Sequence, residues 1–245
     1  MPQADAKIRL HIDAPLSEGA AIALSRDQAH YLFSVMRRSV GDAVLVFNRR
    51  DGEWRAHVVE AGKRAGVLHA AAQTREQAEG PDLWLCFAPI KKARTDFIAE
   101  KACEMGCTRL VPVFTRHTNA DRVRVDRLRA HAVEAAEQCG LLSVPEVVEP
   151  VSLDALLADW PGDRALMFCD ESGAGAPAAE VLRKAGPGPW AVLIGPEGGF
   201  AAEEAARLTA LPYAHAVSLG PRILRADTAA VAALAVWQTV LGDWT

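Results

Sequence analysis

The chain of 245 residues lacks any long uninterrupted apolar run, although 50% of its residues are hydrophobic. A membrane-spanning helix needs about 20 consecutive apolar residues, so we expect no membrane span. Asp5, Lys7, Arg9 and Asp13 interrupt the first residues, and such charges do not fit a secretory signal peptide. The sequence therefore predicts a cytoplasmic protein.

Cysteine pairs at disulfide or metal-site spacing are also missing. The 5 cysteines are an odd number without a C-x-x-C pair, which favours reduced thiols over a disulfide framework. Cys103 and Cys107 are four apart on a predicted helix and could in principle bind a metal, but no further His or Cys pair lies nearby at zinc-site spacing. We predict buried thiols and no metal.

Positive charge is not in excess. With 27 Lys and Arg against 31 Asp and Glu, the net charge is −4, so the overall field does not favour indiscriminate binding of nucleic acid. Any RNA contact must use local basic clusters, although such clusters are often only solvated surface. They are Arg37–Arg38, Arg49–Arg50, Lys91–Lys92 with Arg94, and the arginines at 116, 122, 124, 127 and 129.

A polar stretch, TREQAEGPD at residues 74–82, predicts a linker between two domains. In residues 1–74, short apolar runs separated by glycine-containing turns predict a small β-barrel. One helix, Arg26–Arg37 with Ser25 as its N-cap, interrupts it. The predicted strands are Ile8–Ile12, Ala43–Phe47, Trp54–Val59 and Val67–Ala71.

In residues 82–245, strand-like and helix-like runs alternate, which predicts a parallel α/β sheet. The predicted strands are Leu83–Ala88, Leu110–Phe114, Ala165–Cys169, Trp190–Ile194 and Ala214–Leu219. The predicted helices are Thr95–Met105 closed by Gly106, Asp126–Cys139, one from Ser152, one after Pro177, Ala202–Thr209 and Asp227–Leu241.

Two glycine-containing blocks follow predicted strands: LIGPEGGF at Leu193–Phe200 and SLGPRILRADTA at Ser218–Ala229. Ligands of open α/β sheets bind where strands end, and glycine lets a ligand approach the backbone closely. Neither block matches a dinucleotide or ATP phosphate loop, and Glu197 would repel a phosphate. The blocks therefore favour a neutral or positively charged ligand, unless they are merely turns.

Both blocks resemble the SPOUT class of S-adenosylmethionine (SAM)-dependent RNA methyltransferases. More closely, they resemble the bacterial RsmE family, which methylates N3 of a uridine in 16S ribosomal RNA. Further similar blocks are HYLFSVMRRSVGD at His30–Asp42, KKARTDFIAEKACEMG at Lys91–Gly106, PVFTR at Pro112–Arg116 and EAAEQCG at Glu134–Gly140. The resemblance spans nearly the whole chain and fails at Leu141, where the family has Arg, and at Asp227, where it has Glu.

The resemblance implies a PUA-like RNA-binding barrel in residues 1–74 and a SPOUT α/β domain with a trefoil knot in residues 82–245. It also implies a homodimer that binds SAM in the knot and acts on 16S ribosomal RNA or the small ribosomal subunit. A loop near Cys169 to Gly173 would contribute to the cofactor site. The other implied cofactor-binding residues are Gly195, Pro196, Glu197, Gly198, Gly199, Leu219, Gly220, Ile223, Leu224 and Thr228.

The implied reaction requires loss of the uridine N3 proton, so the site needs a base or cations that stabilise the anion. Arg225 is the candidate cation, unless it forms a structural ion pair with Asp227 or Glu197. Glu197 is a candidate base or sulfonium partner, or it orders the loop. Asp227 is a candidate N-cap of the last helix. The implied RNA-binding residues are His30, Arg37, Arg38, Lys91, Lys92 and Arg116, with His117 interpreted as a surface residue.

Two alternatives remain. A related enzyme would methylate ribose or another base, and a non-catalytic RNA-binding assembly factor would bind RNA without the cofactor.

Overall fold

The computed structural model describes residues 6–169 and 175–244. The chain divides into two compact units. The first ends at residue 79 and also includes residues 136–144, while the second comprises the rest from residue 80 onwards. The boundary at residues 79 and 80 falls within the predicted linker, whereas residues 136–144 lie in the range that we had assigned to the second domain.

The first unit is built on a five-stranded sheet in the order β1-β3-β4-β5-β2. Only β1 and β3 pair in parallel, and the other neighbours are antiparallel. Buried Leu10, Ile22, Val46 and Leu68 form part of its core. The strands are β1 (Arg9–His11), β2 (Ala21–Ala23), β3 (Ala43–Phe47), β4 (Glu53–Ala61) and β5 (Gly66–Arg75).

The predicted helix of this unit begins as expected. Helix α1 (Arg26–Ala29) has Ser25 as its N-cap, and Ser25 and Gln28 form a reciprocal capping box. It continues as a π-helical segment, His30–Val35. Arg37 ends the segment in the left-handed region, at φ 54°, where a C-terminal glycine is more usual.

Arg9 joins residues 136–144 to the sheet of the first unit. Its guanidinium donates to Glu53 Oε2 at 2.7 Å and to the carbonyl oxygens of Ala136 and Leu141 at 2.8 and 2.6 Å. These carbonyls lie at and after the end of helix Val125–Cys139, where cations are favourable. Because position 141 contributes its backbone, this contact does not depend on the Leu141 side chain.

The second unit contains an eight-stranded sheet in the order β11-β13-β10-β12-β6-β7-β8, with β9 paired to β7. All of its pairings are parallel, as predicted. The strands are β6 (Leu83–Phe87), β7 (Arg109–Phe114), β8 (Glu146–Val147), β9 (Val151–Ser152), β10 (Ala165–Cys169), β11 (Ala176–Pro177), β12 (Trp190–Ile194) and β13 (Ala214–Ser218). The helices are α2 (Lys92–Glu104), α3 (Val125–Cys139), α4 (Leu153–Ala158), α5 (Ala178–Ala185), α6 (Ala202–Ala210) and α7 (Ala226–Leu241).

The central strands are apolar because helices cover the parallel sheet. Every residue of β12 is buried. Helix α7 packs against α2, α5 and β12 through small buried residues such as Ala230 and Ala233. Buried Gln238 of α7 donates to the carbonyl of Met105, next to Gly106, which has φ 76° and closes α2 as predicted. These contacts hold α7 against α2, α5 and β12.

Within residues 6–169 and 175–244, no helix combines the length and apolarity needed to cross a membrane. The same residues contain no group of three or more His, Cys, Asp or Glu side chains placed to hold a metal ion. Cys86, Cys103 and Cys107 are buried, and burial raises the pKa of the Cys86 thiol to about 12.

Candidate active site

The two glycine-containing blocks converge at one edge of the parallel sheet. The first follows β12 and the second follows β13, and β10 lies between these strands. Because parallel strands end at the same edge, loops distant in sequence meet there. Together they line a cavity of about 950 Å³, to which Lys91, Arg94 and Cys169 also contribute.

Several predicted cofactor-binding residues line this cavity. They are Gly195, Pro196 and Glu197 from the first block, and Leu219, Gly220, Ile223 and Leu224 from the second. Gly198, Gly199 and Thr228 are not part of the described lining. Cys169 lines the cavity, and burial raises its thiol pKa to about 12. The rest of the predicted loop, residues 170–173, lies outside the described residues.

The glycines of the first block allow close packing and a tight turn within the loop itself. A Cβ at Gly195 would lie 3.0 to 3.3 Å from the ring of Phe200, so any larger residue there would press on this ring. Phe200 in turn makes an edge-on contact with Phe168 in β10, at 6.4 Å between ring centroids. Gly199 has φ 69°, and its N–H donates to the carbonyl of Pro196 at 3.0 Å, which closes a tight turn.

His117 supports the same loop from outside the cavity. Its Nδ1 lies 3.2 Å from the carbonyl oxygens of both Gly198 and Gly199. A Cβ at Gly198 would lie 3.4 Å from the Cβ of His117. A side chain at Gly198 would therefore face His117. His117 is exposed, as predicted, but it also helps to position the loop.

Arg94 was named from the sequence only as part of a basic cluster, whereas in the structure it lines the cavity and pairs with two carboxylates. Its Nε and Nη2 donate to the two carboxylate oxygens of Asp227 at 2.7 and 2.5 Å, and its Nη1 donates to Glu197 Oε1 at 2.5 Å. One guanidinium thus connects the first block to the start of α7. A planar fork of this kind suits bidentate pairing with a carboxylate. One hint of this pairing was present in the sequence, because the first turn of α2 contains no acidic residue that could pair with Arg94 locally.

The N-cap predicted for Asp227 differs from its position in the structure. Asp227 does not cap α7, because the N-cap position is Arg225. Instead, Asp227 lies in the first turn of α7, where Oδ1 also accepts from the N–H of Thr228 at 2.9 Å. The hydrogen bonds that Arg94 donates to Asp227 are the main cause that lowers the pKa of Asp227. The same bonds raise the pKa of Arg94. The carboxylate therefore stays ionised.

Arg225 lines the cavity and is exposed. From the sequence, we considered ion pairs of Arg225 with Asp227 or Glu197. In the structure, Arg94 pairs with both of these carboxylates. Arg222, in the same segment, is exposed and also lines the cavity. The second block thus presents two guanidinium groups at the cavity.

The predicted RNA-binding residues are distributed over both units. Lys91 lines the cavity, and Lys92 lines a neighbouring one. Arg116 is in the described lining of neither cavity. Its Nη1 lies 3.5 Å from Glu203 on α6. His30, Arg37 and Arg38 belong to the first unit, where His30 and Arg37 are exposed.

Comparison with known proteins identifies the family. The model of an RNA methyltransferase domain matches residues 78–238, which include both glycine-containing blocks and Arg94. The chain belongs to this RNA methyltransferase domain family. A model of the RNA methyltransferase PUA domain also matches, over residues 24–68. The family resemblance and the PUA-like character of the N-terminal region are thereby confirmed.

Relatives of this RNA methyltransferase cover nearly its full length. A protein of Rickettsia conorii named Ribosomal RNA small subunit methyltransferase E is 29% identical over 231 residues, 93% of each chain. One of the same name from Bacillus subtilis is 26% identical over 240 residues, 92% of this chain and 93% of the relative.

Solved structures show the same fold. A putative methyltransferase of Legionella pneumophila in complex with SAM superposes with a TM-score of 0.88, at 26% identity, covering 96% of this chain and 98% of the other. A Ribosomal RNA small subunit methyltransferase E of Neisseria gonorrhoeae bound to SAM also gives a TM-score of 0.88, at 24% identity, covering 97% and 99%.

Proposed function

We propose that the protein transfers the methyl group of SAM to N3 of a specific uridine in 16S ribosomal RNA. The observation that carries this proposal is the convergence of the two blocks on one cavity, within a chain that belongs to an RNA methyltransferase family. The names of the relatives support the ribosomal substrate.

The residues present fit SAM. A cavity of about 950 Å³ is within the range of cofactor sites. Backbone of residues 195–197 and 219–220 would hold the adenosine part by hydrogen bonds, and Ile194, Ile223 and Leu224 supply apolar contacts. When bound, SAM supplies an electrophilic methyl group. Glu197 is paired with Arg94, so it favours a cationic ligand less than expected from the sequence.

Arg225 is the proposed catalytic group. Uridine N3 becomes a good nucleophile only when its proton leaves, and a guanidinium beside a uracil carbonyl stabilises the resulting anion. Arg225 is exposed at the cavity and its side chain is not engaged by Glu197 or Asp227. Glu197, the second catalytic candidate from the sequence, acts mainly as a positioning residue, because it is paired with Arg94, which also binds Asp227.

We propose that the second unit is a SPOUT domain with a trefoil knot, in which residues 219–241 complete the cofactor site. The functional form is a homodimer in the cytoplasm, where its ribosomal substrate resides. The N-terminal PUA-like domain, with His30, Arg37 and Arg38, contacts the RNA backbone and thereby positions the substrate.

The test is to incubate the purified protein with SAM carrying an isotopically labelled methyl group and with unmodified small ribosomal subunits or 16S ribosomal RNA. Nucleoside mass spectrometry should find the label in 3-methyluridine. Label in a 2′-O-methylated nucleoside or another base would assign a different target atom. RNA binding without SAM binding or transfer would identify a non-catalytic assembly factor. An Arg225→Ala variant should bind SAM normally but transfer slowly, by about 100-fold.

A further inference from the structure

A second cavity, of about 560 Å³, adjoins the first. Its lining comes from residues 89–96 at the start of α2, from the segment before α3, and from the first turn of α3. The two cavities share Lys91 and Glu197. A ligand in the second cavity would therefore lie beside a ligand in the first.

The acidic groups of the second cavity are already paired. Arg127 binds Asp96 through both carboxylate oxygens, with Nη2 to Oδ2 at 2.7 Å. Glu197 pairs with Arg94, as described above. Asp126, beside the cavity, pairs with Arg124 at 2.7 Å, which lowers the pKa of Asp126 to about 2.

Three cations remain after this pairing. Lys91, Lys92 and Arg122 line the cavity and are exposed. Within residues 6–169 and 175–244, none of the three has an acidic partner within 4.0 Å. The cavity is thus a concentrated positive site in a chain whose net charge is −4.

The start of α2, which lines the second cavity, lacks the acidic residues usually found at a helix N-terminus. Lys91 is the N-cap without a side-chain cap hydrogen bond, Lys92 follows it, and no acidic residue lies in the first turn. Helix N-termini favour anions and disfavour lysines, because the helix dipole is positive there. Proteins break such local rules mainly at functional sites. A bound anion would satisfy both the lysines and the helix.

We propose that the second cavity binds a backbone phosphate of the RNA strand next to the target uridine. This inference rests on the proposed function. Phosphate contacts from Lys and Arg set the register of a protein on its RNA, and a phosphate held beside Lys91 places the adjoining nucleotide at the first cavity. The site thus recognises a phosphodiester rather than a base.

The first experiment uses Lys92→Ala, Arg122→Ala and the double variant, because these two residues line the second cavity alone. Arg183→Ala, an exposed arginine on α5 outside both cavities, is the matched control. Affinity for a fluorescein-labelled 16S ribosomal RNA fragment is measured by anisotropy at several salt concentrations. SAM affinity is measured by calorimetry.

Each single variant should bind the RNA about tenfold more weakly, as expected for a lost charged hydrogen bond. The slope of log affinity against log salt should become shallower by about 0.7 per lost contact. SAM affinity should stay at the wild-type value. Wild-type RNA affinity and salt slope in the double variant would overturn the proposal, and so would a loss of SAM affinity without loss of RNA affinity.

A second experiment identifies the phosphate. A single neutral methylphosphonate linkage is moved along the RNA fragment. One position should weaken binding to the wild-type and Arg183→Ala proteins but not to the double variant. If each neutral linkage changed the RNA affinity of the wild-type protein and of the double variant equally, the proposed phosphate site would be wrong. Wild-type protein that shows these RNA effects but transfers no methyl group would refute the proposed function and leave the phosphate site standing.

Discussion

The two segments that line the main cavity differ in how they are held. Residues 195–200 form a turn closed by a backbone hydrogen bond, packed through Phe200 and supported by His117. Residues 219–225 are largely exposed, with Ile223 at 85% exposure and Gly220 free of neighbours within 4 Å of a built Cβ. The first segment is therefore preformed, whereas the second depends on the start of α7.

Arg94 is the side chain that couples these two segments. It pairs with Glu197 in the first and with Asp227 just after the second. The two segments therefore have different roles. Residues 195–200 form a rigid wall of the cavity, and the looser residues 219–225 present Arg222, Ile223 and Arg225 to the bound ligand.

The largest effect should come from Arg94→Ala, which uncouples the segments. Two carboxylates would then lie close together without their cation, and SAM affinity should fall by about 30-fold, or about 2 kcal/mol. Arg94→Lys should recover part of the affinity, since it restores the charge but not the bidentate fork. Calorimetry with SAM measures both. Wild-type affinity in a folded Arg94→Ala protein would show that the segments are not coupled this way.

Gly195→Ala tests the preformed segment. The added Cβ would press on the Phe200 ring, and overpacking of this kind costs about 1 to 3 kcal/mol. We expect a lower unfolding temperature and weaker SAM binding. The combination with Phe200→Leu should restore part of both. Gly198→Ala is the matched control in the same loop, because its Cβ meets His117 at 3.4 Å, and it should have the smaller effect.

Asp227 tests the link on the side of α7. Asp227→Asn should weaken SAM binding by about 1 kcal/mol through loss of the charged pair, whereas Asp227→Glu should keep the pairing and bind normally. Because the pKa of Asp227 is lowered on folding, its contribution is present above the unfolded pKa and is lost as pH falls through the depressed value. SAM titrations from about pH 9 down to pH 5 should therefore show no loss from this group.

Gly220→Ala in the loose segment should have an effect no larger than that of Asp227→Asn. Gly220 has φ 113°, which disfavours an L-residue, but the space around it is open. We expect a cost of about 1 kcal/mol in SAM binding with an unchanged unfolding temperature. A large drop in unfolding temperature would mean that residues 219–225 are as rigid as residues 195–200.

Much of the fold could be predicted where apolar runs are bounded by turn residues. Strands Ala43–Phe47, Ala165–Cys169 and Trp190–Ile194 match residue for residue. Strand β2, with three residues, is too short to give a pattern. Residues 136–144 belong to the first unit and are joined to it by long-range hydrogen bonds such as those of Arg9, which no local signal reveals.

The site could be predicted in its backbone but not in its charge pairing. The glycine-containing blocks marked the cavity because strand ends and glycines are readable from sequence. The partner of Asp227 was sought in Arg225, two residues away, whereas the structure brings in Arg94 across 133 positions. Ion pairs between distant elements follow from the packing of α2 against α7, which sequence periodicity does not specify.

The most direct test of the account is isothermal titration of the full-length protein with SAM, alongside NADH and ATP. We expect saturable binding of SAM alone, weakened in Arg94→Ala and unchanged in Arg183→Ala. Absence of SAM binding, or equal binding of all three compounds, would contradict the assignment of the 950 Å³ cavity as a methyl-donor site.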